Sequence, residues 1–88
     1  MTEVLYAASF FDEMSQVETK RVRDNILENT ELLAVIPEMG STNLPRSISE
    51  KYGPDVRKLV VPPFLVLYKL LDGGRVLVLG VMHNRAAY

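Results

Sequence analysis

Residues 56–82 read VRKLVVPPFLVLYKLLDGGRVLVLGVM, and this stretch decides the fold. Three runs in it are rich in Val, Leu and aromatic residues, a composition typical of β-strands. These runs are residues 56–61, 64–71 and 75–82. Pro62-Pro63 makes the first connection, and Asp72-Gly73-Gly74 is typical of a hairpin turn, since glycine readily adopts the positive φ that such turns require. Residues 64–68 are apolar on both faces, so we expect them to form the central strand of a sheet.

The opening of the chain predicts a fourth strand and a short helix. Glu3-Val4-Leu5-Tyr6 is a β-prone run that ends at small residues. Ser9, with Asp12 three residues later, matches a capping box, in which the hydroxyl accepts a hydrogen bond from an orphan amide and the acid meets the positive end of the helix. We therefore expect a short helix from this point through Met14.

A second helix is predicted between Ser15 and Pro37. Ser15 and Glu18 form another capping box, so this helix should begin at about Gln16. Proline disfavours the α conformation of the residue before it, so Pro37 should stop the helix. Apolar residues recur between them at helical spacing, which predicts one buried stripe. The stripe consists of Val22, Ile26, Leu33 and Val35 or Ile36.

Residues 39–54 form a connecting segment without a periodic pattern, in which residues 47–52 favour a helical turn. The predicted order of the main elements is therefore β-α-α-β-β-β. This order corresponds to the α+β class, with two N-terminal helices packed on one face of a small, mostly antiparallel four-stranded sheet.

Length and composition indicate one globular domain that spans residues 1–88, with 48% hydrophobic and 24% charged residues. The chain has no cysteine and only one histidine, His83, so it lacks the ligands of a disulfide framework or a zinc site. We expect no cofactor and no metal. The opening residues do not form a signal peptide, and no apolar run approaches the roughly 20 residues that span a bilayer, so we expect a cytoplasmic protein that does not enter the membrane.

The net charge of −1 conceals an asymmetry between the two halves of the chain. Residues 1–44 hold three bases against eight acids, a net charge of −5, whereas residues 45–88 hold seven bases against three acids, a net charge of +4. Such an asymmetry either marks an anionic partner for the basic half or arises by chance in a short chain. The acidic pair Asp12-Glu13 is best explained as part of a solvated helix face.

The residues best suited to chemistry lie at the end of the chain. His83 and Tyr88 are able to move protons, and Arg85 is able to hold a phosphate with two hydrogen bonds. Arg57 and Lys58 alternate faces in their strand, so only one of them can share a surface with this cluster. The alternative is structural: His83 would cap a strand end, and Tyr88 would pack its ring on the sheet or on a neighbouring chain.

The order and spacing of several loose motifs resemble the RelE/ParE superfamily of bacterial toxins from type II toxin–antitoxin, or plasmid stabilisation, modules. The resemblance extends over nearly the whole chain. The motifs are residues 3–6 followed by Phe10, Phe11 and Met14; Ile36-Pro37-Glu38-Met39-Gly40; residues 53–59; residues 64–69; and residues 76–85.

The resemblance implies a growth-inhibiting toxin that a co-expressed antitoxin neutralises by wrapping it with a helix or an extended segment. Two activities occur in the superfamily. RelE-like members cut mRNA in the ribosomal A site without a metal, whereas ParE-like members are not nucleases and poison DNA gyrase.

Two departures favour the ParE-like activity. Nuclease members usually carry an arginine in the central strand where this sequence has Leu65, and they are strongly basic, whereas this chain has a pI near 5.7. If the chain is nonetheless a metal-free mRNA endoribonuclease, its catalytic set would be Arg57, Lys58, His83, Arg85 and Tyr88. A further alternative is a small, non-toxic interaction module that forms a homodimer.

Overall fold

The computed structural model describes residues 2–87. This part of the chain forms four strands and four helices. The strands are β1 (Glu3–Tyr6), β2 (Val56–Val61), β3 (Phe64–Leu71) and β4 (Arg75–His83). The helices are α1 (Ala8–Met14), α2 (Lys20–Leu32), α3 (Arg46–Tyr52) and α4 (Asn84–Ala87). The predicted α+β class is confirmed, and so is its sheet of four strands.

The strands lie in the order β1-β4-β3-β2. β3 pairs antiparallel with both β2 and β4, so the run predicted to be central lies inside the sheet. β1 pairs with β4 in parallel, which makes the sheet mixed but mostly antiparallel. The bounds of β1, β2 and β3 agree with the prediction, and β4 continues one residue further, to His83.

The two faces of the sheet carry separate apolar clusters, because side chains alternate along each strand. On the first face, α1 and α2 pack through Phe10, Met14 and Ile26 against β3 and β4. On the second face, α3 contributes Ile48 and α4 contributes Ala87. Fully burying an aliphatic or aromatic side chain stabilises the fold by about 1.5–3 kcal/mol, so both faces contribute to stability. The helical turn predicted for residues 47–52 is confirmed as α3, and it covers the face opposite to α1 and α2.

Beyond the end of β1, side chains of α1 form hydrogen bonds to the edge of β4. β1 pairs with β4 only as far as Tyr6, which lies opposite Val78. Leu79 is skipped in the pairing between β3 and β4, which marks a β-bulge at this point. Beyond the bulge, the Ser9 hydroxyl donates to the carbonyl of Leu79 and the Glu13 carboxylate accepts from the backbone N–H of Val81.

Both predicted capping boxes are wrong, because the serines bond elsewhere. Ser9 lies inside α1, which begins one residue earlier, and its hydroxyl is engaged by β4. The Ser15 hydroxyl donates backwards to the carbonyl of Asp12, 2.6 Å away, at the end of α1. α2 therefore begins at Lys20 rather than at about Gln16. Its regular part ends at Leu32, and turns carry the chain from there to Pro37.

Within residues 2–87, no helix is both long enough and apolar enough to cross a membrane.

Candidate functional site

Arg57, the first of the predicted site residues, holds the segment that follows α2. Its side chain is half-buried on the first face, opposite Tyr68 of β3. Its Nη1 donates to the carbonyl oxygens of Glu38 and Gly40, at 3.2 and 3.1 Å. These two hydrogen bonds tie residues 38–40 to β2, so the guanidinium has a structural role.

Tyr68, at the centre of the sheet, holds the same segment as Arg57. It is fully buried, its hydroxyl donates to the carbonyl of Pro37 at 2.8 Å, and it accepts from the N–H of Gly40 at 2.8 Å. Burial raises the pKa of the Tyr68 phenol, and the Gly40 hydrogen bond and the Arg57 charge partly offset this rise. A buried phenol with both hydrogen-bonding functions used is suited to holding structure rather than to moving protons.

His83 and Arg85 lie together at the end of β4. The exposed imidazole of His83 accepts a hydrogen bond at Nδ1 from the backbone N–H of Arg85, 3.1 Å away. The His83 ring meets the ring of Phe64 edge-on, with centroids 5.4 Å apart. The side chain of Arg85 is exposed on α4. Tyr88, the last predicted site residue, lies outside the described residues.

The structure does not bring the remaining basic residues to His83. Arg57 lies opposite Tyr68 and His83 lies opposite Phe64, so their rows are four residues apart along the sheet. At about 3.3 Å per residue, this is roughly 13 Å, and two strand spacings of about 4.8 Å add to it. Lys58 lies opposite Leu67 on the second face, as strand alternation predicts, and so on the other side of the sheet from His83.

Leu65 lies on the second face of the sheet, where it is packed among apolar side chains. Leu65 is 1% exposed and belongs to a cluster with Leu67, Ile48 and Ala87. α4 is held over this cluster by the Ser47 hydroxyl, which donates to the carbonyl of Ala87 at 2.7 Å. A charged side chain would find no carboxylate within this cluster.

An open cavity of about 290 Å³ lies between α1 and the end of β4. It is lined by Asp12, Glu13, Gln16, Phe64, Val81 and His83. The sequence assigned Asp12 and Glu13 to a solvated face, and for Glu13 this is wrong, because its half-buried carboxylate bonds to the N–H of Val81. No local pattern distinguishes such a glutamate from a solvated one. Among residues 2–87, no three His, Asp or Glu side chains converge to hold a metal ion.

Comparison with known protein families gives a match that extends over residues 6–88. The matching family is described as the ParE toxin of the type II toxin–antitoxin system parDE. No curated protein matches the sequence significantly.

Several solved structures share the fold. The chromosomal ParDE toxin–antitoxin system from P. aeruginosa contains a chain with a TM-score of 0.71 and 14% identity, and the match covers 94% of this chain and 96% of that one. The intact E. coli RelBE toxin–antitoxin complex gives a TM-score of 0.67 at 14% identity, with the same coverages. YafQ from E. coli strain BL21(DE3) gives 0.62 at 16% identity, covering 100% of this chain and 99% of that one. At these identities the likenesses show the fold alone.

Proposed function

Since the chain belongs to the family of ParE toxins of type II toxin–antitoxin systems, we propose that it inhibits bacterial growth by poisoning DNA gyrase. We further propose that a cognate antitoxin neutralises it, because two of the structural neighbours come from toxin–antitoxin systems. The resemblance to the RelE/ParE superfamily stated from the sequence is confirmed.

The burial of Leu65 is the observation that favours gyrase over mRNA as the proposed target. Metal-free cleavage of RNA needs a base, an acid and cations that converge on one phosphate. Here the position that would supply a central cation is an apolar side chain, 1% exposed, beneath α4. Arg57 is engaged by two carbonyl groups, and it lies far from His83 along the sheet. This arrangement favours a toxin that acts by binding a protein.

The antitoxin requires an exposed apolar surface, and α1 and α2 provide one. Phe11 is 58% exposed, and its ring centroid lies 5.8 Å from that of Tyr6. The Tyr6 hydroxyl lies 3.0 Å from the hydroxyl oxygen of Thr30 on α2, one helical turn from exposed Leu27. We call the surface formed by exposed Phe11 and Leu27 and half-buried Tyr6 the helical groove; Thr30 itself is fully buried. Exposed apolar surface of this kind in a small domain is typical of a protein interaction site.

Induced expression in a bacterial host without the antitoxin tests the proposal. We expect growth arrest with filamentous cells, a DNA-damage response and intact mRNA. Co-expression of the small gene next to the toxin gene should restore growth. Growth arrest accompanied by new mRNA 5′ ends at codon spacing would instead establish the nuclease alternative. Normal growth, with the protein folded, would contradict both activities and leave a non-toxic interaction module.

A pair of variants tests the helical groove in the same strains. Phe11→Ser removes an exposed ring from the groove, so we expect toxicity to persist while neutralisation by the antitoxin weakens. Val60→Ser is the matched control, since Val60 is 60% exposed on the second face. Equal neutralisation of both variants would exclude the helical groove as the antitoxin site.

A further inference from the structure

The charges of this protein are separated by the sheet. Residues 8–32, which include α1 and α2 on the first face, hold six acids and three bases, a net charge of −3. The second face has the opposite sign. α3, α4 and the strand residues that share their face hold six bases and two acids, Glu3 and Glu50, a net charge of +4. We call this surface the basic face. An anion that approaches the molecule therefore meets two sides of opposite potential, although the net charge is only −1.

The bases of the basic face come from five separate elements. They are Arg46 and Lys51 on α3, Lys58 on β2, Lys69 on β3, Arg75 on β4 and Arg85 on α4. Lys58 and Lys69 belong to this face because they pair with Leu67 and Val56, which lie in the second apolar cluster. Arg75 belongs to it because it pairs with Leu71, two residues after Lys69 on the same strand. Lys58 and Lys69 are half-buried, and the other four are exposed. The positive charge is thus spread across the whole face rather than gathered in a pocket.

Among residues 2–87, the basic face exposes few large apolar side chains of the kind on which protein interfaces are centred. Protein interfaces are centred on buried aromatic or aliphatic anchors. Of the seven large hydrophobic side chains that are exposed among residues 2–87, only Val60 lies on this face. The others lie on α1 and α2 (Phe11, Leu27 and Leu32), in the segment after α2 (Val35 and Ile36) and on the first face of β3 (Leu70). Long cations without apolar anchors suit a partner whose own surface is a regular array of anions.

The aromatic residues of the basic face favour double-stranded over single-stranded nucleic acid as its ligand. Single strands are bound by stacking their bases on exposed aromatic rings. Among residues 2–87, Tyr52 is the one aromatic residue on the basic face, and it is half-buried beneath the ammonium of Lys51, which lies 5.2 Å from the ring centroid. A base would have to displace Lys51 to stack there. Contacts to the phosphates of a duplex need no such platform.

We propose that the basic face binds the phosphate backbone of duplex DNA without reading its sequence. This binding goes beyond the proposed inhibition of gyrase and does not depend on it. If the proposed function holds, the basic face would contact the DNA that gyrase carries, while another surface contacts the enzyme.

Fluorescence anisotropy with a labelled 20-base-pair duplex of arbitrary sequence, in the absence of gyrase, tests the proposal. We expect a dissociation constant on the order of 10⁻⁵ M at low salt. The logarithm of the binding constant should fall with the logarithm of salt concentration with a slope of roughly −3 to −4, as expected for three or four neutralised phosphates. A duplex of different sequence should bind equally well.

A pair of charge-matched variants locates the binding surface. Lys51→Glu with Arg85→Glu reverses two charges on the basic face, and Lys20→Glu with Arg21→Glu reverses two on α2, which packs on the first face. Both double variants lower the net charge by four. We expect the first to weaken DNA binding by at least about tenfold and the second to change it little. If the first unfolds, Lys51→Gln with Arg85→Gln replaces it and should weaken binding in the same direction.

Four outcomes would overturn the proposal. An equal loss in both charge-reversed variants would show that binding follows net charge and not the basic face. No binding at low salt would exclude DNA as the partner. Tighter binding of a single-stranded RNA of the same length, or of poly-L-glutamate, would assign the basic face to RNA or to an acidic protein. Because gyrase is absent from the assay, failure here would not affect the proposed function.

Discussion

The carboxylate of Glu13 on α1 accepts a hydrogen bond from the backbone N–H of Val81 on β4, at 3.0 Å. Ser9, one helical turn earlier, bonds to the carbonyl of Leu79. Side chains four residues apart on a helix lie about 5–6 Å apart, and two residues along a strand advance about 6.6 Å. Because these spacings match, Ser9 and Glu13 bond to backbone groups at the edge of β4 that lie beyond the end of β1. These hydrogen bonds also fix the position of α1, which forms one wall of the cavity that His83 lines.

Gly80 and Glu13 should be energetically coupled. A Cβ on Gly80 would collide with Oε1 of Glu13 and displace the carboxylate from Val81. We expect Gly80→Ala to lower the free energy of unfolding by about 1–3 kcal/mol, the cost of leaving a partly buried N–H without a partner. In a Glu13→Ala background the same substitution should cost much less, because the space is already vacant. Urea denaturation of the four proteins in this cycle measures the coupling.

Glu13→Gln is the control for that cycle, since its amide oxygen is still able to accept from Val81. It should cost less than about 1 kcal/mol. If the costs of Gly80→Ala and Glu13→Ala were simply additive, the contact would not link α1 to β4 as described.

The buried phenol of Tyr68 predicts a loss of stability at alkaline pH. Its pKa is raised in the folded protein, so the unfolded chain releases this proton first as the pH rises past about 10. The contribution of Tyr68 is therefore complete below pH 10 and disappears as the pH rises through the folded-state pKa. We expect the free energy of unfolding to fall more steeply above about pH 10 in the wild type than in Tyr68→Phe.

Tyr68→Phe will also be less stable at neutral pH, by about 1–3 kcal/mol, because the Gly40 N–H and the Pro37 carbonyl lose their partner. The comparison therefore concerns the slopes with pH and not the absolute stabilities. Identical slopes would show that the Tyr68 pKa does not differ between the folded and unfolded chains.

Leu65→Arg should unfold most of the protein rather than create a nuclease. The guanidinium would enter an apolar cluster, and the cost of an unpaired buried charge is at least about 3 kcal/mol. Val60→Arg on the same face is the matched control, and we expect it to change stability by less than about 1 kcal/mol because Val60 is 60% exposed. Chemical denaturation of the two variants makes the comparison. A stable Leu65→Arg protein would show that this face is open to charged side chains.

His83→Asn separates the two candidate activities. Asparagine is able to accept the Arg85 N–H through its side-chain oxygen, but it cannot transfer protons near neutral pH. Because gyrase poisoning requires no proton transfer, we expect the variant to arrest growth as strongly as the wild type in a plating assay. Loss of toxicity in a folded variant would indicate that the imidazole takes part in cleavage.

The strands could be predicted from the sequence almost residue by residue, because alternation and apolar content are local properties. β1, β2 and β3 have the predicted bounds, and the alternation of Arg57 and Lys58 places them on opposite faces. The predicted juxtaposition of His83 and Arg85 needed only two residues of chain. α4 was not predicted, since a four-residue helix depends on the cover that Ala87 finds on the second face.

Most of the errors arose where side chains bond across long stretches of sequence. Ser9 and Ser15 have the pattern of helix caps, yet one bonds to a strand 70 residues away and the other to the end of the preceding helix. Glu13 resembles a solvated acid until β4 is placed beside it. Arg57 resembles a phosphate ligand, and only the folded path of residues 38–40 reveals its carbonyl partners. Except for the local hydrogen bond of Ser15, each of these contacts depends on tertiary structure that no local pattern encodes.

The inhibition of purified DNA gyrase is the most direct test of the proposed function. The toxin is incubated with gyrase, relaxed plasmid and ATP, and supercoiling and double-strand cleavage are followed on gels. In parallel, the toxin is added to ribosomes programmed with mRNA. We predict that supercoiling stops and cleaved plasmid accumulates, that antitoxin reverses both effects, and that the mRNA stays intact. Full supercoiling at an excess of toxin, together with cut mRNA on the ribosomes, would contradict the proposed function.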